Sequence, residues 1–262
     1  MVIFEENIFY ILFYYYFSST AQVVYVAGGC GTVGSAVVKE LLSLGAIVWV
    51  SSRNQSRLDE LNDSIPLNWR SNLRLHQASV SNENECLELK NAIFKKDSKI
   101  NHVVASLGSW WNKGCLSEQS VDEFEKVFVE NTKIHFLVYK TFAKCLNDQP
   151  NSTYTFISGA LGEGCETMPE TSLLSVSAAA LFGLYLAAYS EYLHSPNLNV
   201  NEVRYATMIR DKLDKMIDQT ENDYEVGKDW AAKFVTKVIL EHKTGSHRIY
   251  GRKQGDQFFK TF

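Results

Sequence analysis

The sequence predicts an α/β domain built on a doubly wound parallel sheet of about seven strands, with helices on both faces. Three observations carry this prediction. Apolar runs suited to buried strands alternate with helical patterns along the chain. The first of these runs ends in a glycine-dense turn that opens directly into a helix. A chain of 262 residues, 45% hydrophobic and with four prolines, is long enough for one sizeable domain and leaves little room for linkers.

The elements follow in order. Val23 to Ala27 is the first strand, and Val33, Val37, Val38, Leu41, Leu42 and Leu44 fall at helical spacing after it. Ile47 to Val50 is a second strand, ending in Ser51-Ser52-Arg53-Asn54, and a polar helix runs from about 55 to 62. Leu73 to Ala78 is the third strand, and Ser81 to Phe94 is a helix with acidic residues in its first turn. His102 to Leu107 is the fourth strand, closed by Gly108. Ser120-Val121-Asp122-Glu123 is a capping box that opens one long helix to about Leu146. Tyr154 to Ser158 is the fifth strand, Ser172 to Leu193 an apolar helix, and Leu198 to Val203 the sixth strand. Met208 to Lys215 and Val226 to His242 are predicted helical, with Arg248-Ile249-Tyr250 a short last strand. A glycine turn after the first strand of such a series makes the fold Rossmann-type.

That turn, Gly28-Gly29-Cys30-Gly31-Thr32-Val33-Gly34, is suited to phosphate. Its glycines allow backbone N–H groups to approach a pyrophosphate, and the helix N-terminus adds partial positive charge. The end of the second strand faces the adenosine ribose. A carboxylate there would favour NAD(H), but residues 47–58 contain no acid and offer Ser52, Arg53 and Asn54 instead. Guanidinium matches phosphate geometry, so NADP(H) is preferred over NAD(H).

Net charge is −4 with both signs interspersed, which argues against a nucleic-acid partner. The five cysteines are scattered and odd in number, with no metal-ligand spacing. They imply reduced thiols, no bound metal, and an intracellular, cytoplasmic protein. Residues 1–20 form an aromatic N-terminal extension to a single domain spanning 21–262. The run Ile8 to Phe17 is too short to span a bilayer. It reads as a segment packed on the domain, as a docking segment for another chain or a membrane surface, or as sequence upstream of a start near Thr20.

With these elements placed, residues 21 to 252 resemble the short-chain dehydrogenase/reductase family. The family's TGxxxGxG turn is matched at Ala27-Gly28 and Gly34, with Thr32 crowding the position of the middle glycine. Ser79-Val80 stands where the family has Asp-Val, Ala105-Ser106-Leu107-Gly108 replaces its NNAG, and Asn131 retains its helix asparagine. Asn201 keeps the sixth-strand asparagine, while Tyr205-Ala206 replaces Pro-Gly. The resemblance implies cofactor contacts at Gly28, Cys30, Thr32, Val33, Gly34, Ser52, Arg53, Asn54, Ala105, Ser106 and Gly108.

The family's chemistry depends on a Ser followed by a Tyr-x-x-x-Lys, in which the Lys lowers the pKa of the proton-donating Tyr. Here Gly159 takes the serine position with Ser158 beside it, Leu174 the tyrosine and Ala178 the lysine. No shift of register restores the pair, because residues 159–184 contain no Tyr, Lys, Arg or His. Tyr224 and Lys228 share the spacing but lie far along the chain. Asn131 and Ser158 are remnants of the site, each with a structural role as its alternative. Trp110 and Trp111, as an aromatic wall, and Glu163 and Cys165, on the loop after the fifth strand, are candidates for a substrate cleft.

Three functions stay open at this point. One is an NADP(H)-binding protein with a degenerate active site, a pseudoenzyme that does not run Tyr-Lys carbonyl reduction. Another is an active NADPH-dependent oxidoreductase whose proton comes from water, the substrate, Glu163 or Cys165. The third is an interaction module that holds no nucleotide. By the same resemblance, the helices at about 120–146 and 172–193 imply a homodimer or homotetramer.

Overall fold

The apolar runs become strands because helices cover both faces of the sheet they form. The computed structural model describes residues 22–166, 168–211 and 225–249. The N-terminal extension, Tyr224, the end of the 208–215 segment and Tyr250 lie outside these. β1 (Val23–Ala27) is buried at every position. α1 (Thr32–Ser43) leads to β2 (Ile47–Ser52), and α2 (Gln55–Ser64) to β3 (Leu73–Gln77). α3 (Glu83–Asp97) precedes β4 (His102–Ala105). These strands and β5 (Ser152–Gly159), β6 (Leu198–Tyr205) and β9 (Gly245–Ile249) form one sheet in the order β3-β2-β1-β4-β5-β6-β9. Every neighbouring pair is parallel.

One face of the sheet packs on α1, α2 and α7 (Lys228–Leu240), through side chains such as Val37, Leu58 and Phe234. The other packs on α3, α5 (Ile134–Asn147) and α6 (Ser172–Tyr192), through Leu89, Phe142 and Leu181. Each such side chain, fully buried, contributes roughly 1.5–3 kcal/mol. α6 is long and apolar enough to cross a membrane by length and composition, and a third of that span is buried in the fold.

Two sequence expectations change. The long helix from 120 is interrupted: α4 (Val121–Phe128) passes through a π turn at Val129–Lys133 before α5. The cause is Asn131, whose Nδ2 donates to Val127 O (3.0 Å) while its Oδ1 accepts from Ser109 N (2.9 Å). A side chain thus enters the helical ladder, a known origin of such bulges. The segment from Met208 is a strand and not a helix. β7 (Met208–Arg210) pairs in parallel with β8 (Glu225–Gly227), with Ile209 opposite Val226 and Arg210 bonded to Glu225. Tertiary pairing overrides the local helical spacing there.

Burial also fixes the charge of two histidines. His102, whose Nδ1 lies 3.0 Å from Thr153 Oγ1, is pushed down to about 3, and His135 to about 4, against an ordinary 6.5. Below pH 6.5 the unfolded chain takes up protons that the folded chain refuses, so stability present above that pH is lost as pH falls. Each histidine adds at most about 1.4 kcal/mol per pH unit to this slope. Urea unfolding followed by circular dichroism should show a midpoint falling steadily from pH 6.5 to 4.5, less steeply in His102→Gln. A midpoint unchanged over this range contradicts the assignment.

Candidate functional site

The chain winds outward from β1 through β2 to β3, then returns to place β4 on the other side of β1. At such a switch point the connections diverge and leave a crevice outside the strand ends. The glycine turn and the loop after β4 meet there. Gly28 has φ +78°, and a Cβ on it would stand 2.0 Å from Ser106 O. A Cβ on Gly34 would stand 2.2 Å from Gly28 O, so only glycine allows α1 to start this close to β1. Gly31 caps α1 without a side-chain bond, unlike the capped starts of α2, α3 and α4, and the first turn of α1 holds no acid. Its first N–H groups are left for an anion.

The crevice has a volume of about 610 Å³. Gly28, Cys30, Ser52, Arg53, Ser106 and Gly108 line it. Gly31 of the same turn lines it too, as do Ser79 to Ser81 and Arg57, which sequence reasoning missed. Arg57 stands four residues after Arg53, on the helix that follows, a spacing that could have found it. Among the described residues neither arginine has a carboxylate within ion-pair distance. Burial raises the Cys30 thiol, and the nearby Arg57 charge pulls the other way.

Five residues expected at the cofactor do not line the crevice. Gly34 is buried in the first turn of α1 against Gly28. Thr32 is exposed at the start of α1 and does not crowd the turn, and Val33 packs on the core. Asn54 caps α2, its Oδ1 accepting from Ser56 N (2.9 Å) and Ser56 Oγ (2.8 Å). Ala105 is fully buried within β4.

Along the same C-terminal ends of the strands, toward β5 and β6, the remnants have structural partners. Asn131 bridges the β4 loop to the π turn, and Gly108 is required beside it, since a Cβ there would lie 2.7 Å from Asn131 Oδ1. Ser158 Oγ donates to Glu202 Oε1 at 2.6 Å, so its hydroxyl is turned into the protein. Glu202 is fully buried and pairs with Arg204, whose Nη2 lies 2.8 Å from Glu202 Oε2. Ser246 Oγ also donates to that Oε2 (2.7 Å). Arg204 Nη1 reaches Glu163 Oε1 at 2.7 Å, and its guanidinium carbon lies 3.3 Å from the Phe182 ring centre.

Leu174 is half-buried against a small cluster of Trp111, Val127 and Leu173. Ala178 lies where α6 meets the 3-10 turn at Ala160–Glu163, and a Cβ on Gly162 would stand 2.7 Å from its carbonyl carbon. Trp111 is buried, not a cleft wall: its Nε1 donates to Gln119 Oε1 (3.0 Å), and Lys113 and Lys126 flank its ring. Trp110 is exposed, and Cys165 is half-buried with its carbonyl accepting from Met168 N. Glu163 is engaged as an acceptor, which opposes a role as proton donor. Among the described residues, no group of three or more His, Cys, Asp or Glu is placed to hold a metal.

The family profile described as short chain dehydrogenase matches residues 22–221. The chain belongs to this family. A curated relative, 3-oxoacyl-(acyl-carrier-protein) reductase FabG of Rickettsia typhi, is 23% identical over 197 residues, 75% of this chain and 77% of its own length. The solved structure of ElxO with NADP bound matches with a TM-score of 0.74 and 22% identity, covering 87% of this chain and 97% of ElxO. An alcohol dehydrogenase from the archaeon Thermococcus sibiricus, complexed with 5-hydroxy-NADP, matches at TM-score 0.71 and 17% identity, covering 88% and 98%. At these identities the structural matches establish the fold.

Removing Arg204 would leave Glu202 as a buried, uncompensated charge, at a cost of about 3–5 kcal/mol. Arg204→Met should therefore lose that much stability in urea titration, and Glu202→Leu/Arg204→Met should recover most of it. Equal losses in the single and double variants would show that the pair is not the source.

Proposed function

We propose that this short-chain dehydrogenase binds NADP(H) at the glycine turn and does not run the family's Tyr-Lys carbonyl reduction. One observation carries the reading: the nucleotide end of the crevice is open and basic, while Ser158 is bonded to a buried glutamate and Leu174 and Ala178 stand in place of the acid and its lysine. The residues present fit the cofactor. Gly28, Gly31 and the open start of α1 suit a pyrophosphate, and Ser52, Arg53 and Arg57 suit a 2′-phosphate. That relatives with this fold hold NADP supports the choice.

When bound, the dinucleotide supplies hydride chemistry. The chain's own residues divide into those that hold and those that are engaged elsewhere. Arg53 and Arg57 would bind by charge, and Asn131, as bonded here, fixes the loop that borders the crevice. Neither Ser158 nor Glu163 has a proton free for a substrate in this arrangement. Loss of a general acid of this kind lowers a rate by about 10²- to 10⁴-fold.

Titration of NADPH and NADH followed by tryptophan fluorescence tests the reading. NADPH should bind more tightly than NADH. Arg53→Ala and Arg57→Ala should each weaken NADPH by about tenfold, the value of one charge-assisted contact, and leave NADH unchanged. Binding of neither nucleotide overturns the proposal; equal effects on both refute the 2′-phosphate assignment.

A further inference from the structure

Arg204 and Arg248 are register partners on the adjacent strands β6 and β9, so both leave the sheet on the same face. Like charges placed opposite each other in this way repel unless an anion stands between them. Arg204 spends its Nε and Nη2 on Glu202, whose two oxygens are closed off by Ser158, Ser246 and that guanidinium. Its remaining Nη1 and the Nη2 of Arg248 converge on one oxygen, Glu163 Oε1, at 2.7 and 3.1 Å.

The partners of that oxygen differ in how firmly they are held. Arg204 is buried and pressed against Phe182, so its guanidinium plane is fixed. Arg248 lies on the edge strand with half of its side chain exposed. Glu163 keeps a third of its side chain exposed and ends a single 3-10 turn. Gly164 follows at φ +148°, and among the described residues nothing stands within 4 Å of its Cβ position. The turn's base is held independently, by Ser175 Oγ donating to Leu161 O (2.7 Å). Glu163 can therefore leave its oxygen's position without unseating the turn, whereas Glu202 cannot move at all.

We propose that Arg204 and Arg248, near the C-terminal ends of β6 and β9, form a carboxylate-binding fork on the same edge of the sheet as the crevice. Glu163 is its internal occupant, and the carboxylate of a small organic acid displaces it. Two guanidiniums already donate to one carboxylate oxygen there, charge-assisted hydrogen bonds of the stronger kind. This deepens the proposed function by naming the class of its second ligand. It rests on that reading only for the claim that the acid shares this edge with a nucleotide.

Succinate, with neutral succinamide as control at matched ionic strength, tests the fork by calorimetric titration of the full chain. Wild type should bind succinate weakly and saturably, and succinamide not at all. Glu163→Gln removes the competing charge and should bind succinate at least tenfold more tightly. Arg248→Gln, on the exposed edge strand, should lose succinate binding. NADPH affinity, measured in parallel, should be the same in all three proteins. Succinate binding no different from succinamide in wild type and Glu163→Gln overturns the proposal. Should circular dichroism show Glu163→Gln unfolded, wild type against Arg248→Gln decides it: equal succinate binding overturns, loss supports. A succinate response without NADPH binding leaves the fork standing and overturns the nucleotide reading.

Discussion

A carboxylate without solvent exposure costs several kcal/mol in lost hydration, and Glu202 is such a group in the middle of a sheet. It is tolerated because every neighbour supplies a donor. Ser158 from β5, Ser246 from β9 and Arg204 from β6 itself surround it. The cation brought in to neutralise it then needs its own surroundings, met by the Phe182 face on α6 and by Glu163 on the turn after β5. One buried charge thus sets the arrangement of three strands, a helix and a loop. The hydroxyl nearest the family's serine position is used to hold that charge and is not offered to a ligand.

The β1–β2 side of the sheet and the β5–β6–β9 side contrast in how their charges are balanced. Among the described residues Arg53 and Arg57 have no carboxylate within ion-pair distance, and Gly31 caps the start of α1 with no side-chain bond. An anion from solution is the natural complement. Around Glu202 the charges neutralise one another, and Gly162 lets the 3-10 turn lie directly on α6 at Ala178.

Much of this was legible in the sequence because it is local. The glycine turn, the buried strands and the Ser120 capping box depend on residues close together, and all appear where spacing placed them. What was not legible depends on distant partners. Asn131 makes a π turn only because Ser109 lies against it, and β7 exists only because β8 pairs with it. For Trp111, cleft wall and packing are equally open in the sequence, because the neighbours that decide for packing, Val127 and Leu173, come from other parts of the chain. Glu202 and Arg204 carry a further signal: two charges flanking Val203 in a strand that a doubly wound fold buries require internal pairing. Arg57 was within reach of helical spacing from Arg53.

The central claim is that this site holds a cofactor above positions from which the family's acid has gone. It is tested most directly by restoring that acid. NADPH oxidation would be measured with a panel of aldehydes and ketones for wild type and for Gly159→Ser/Leu174→Tyr/Ala178→Lys, both saturated with NADPH. The account predicts wild type at the rate without protein and the triple variant about 10²-fold above it, the lower range for a restored general acid. Wild type turning over the same panel as fast as the triple variant would contradict it.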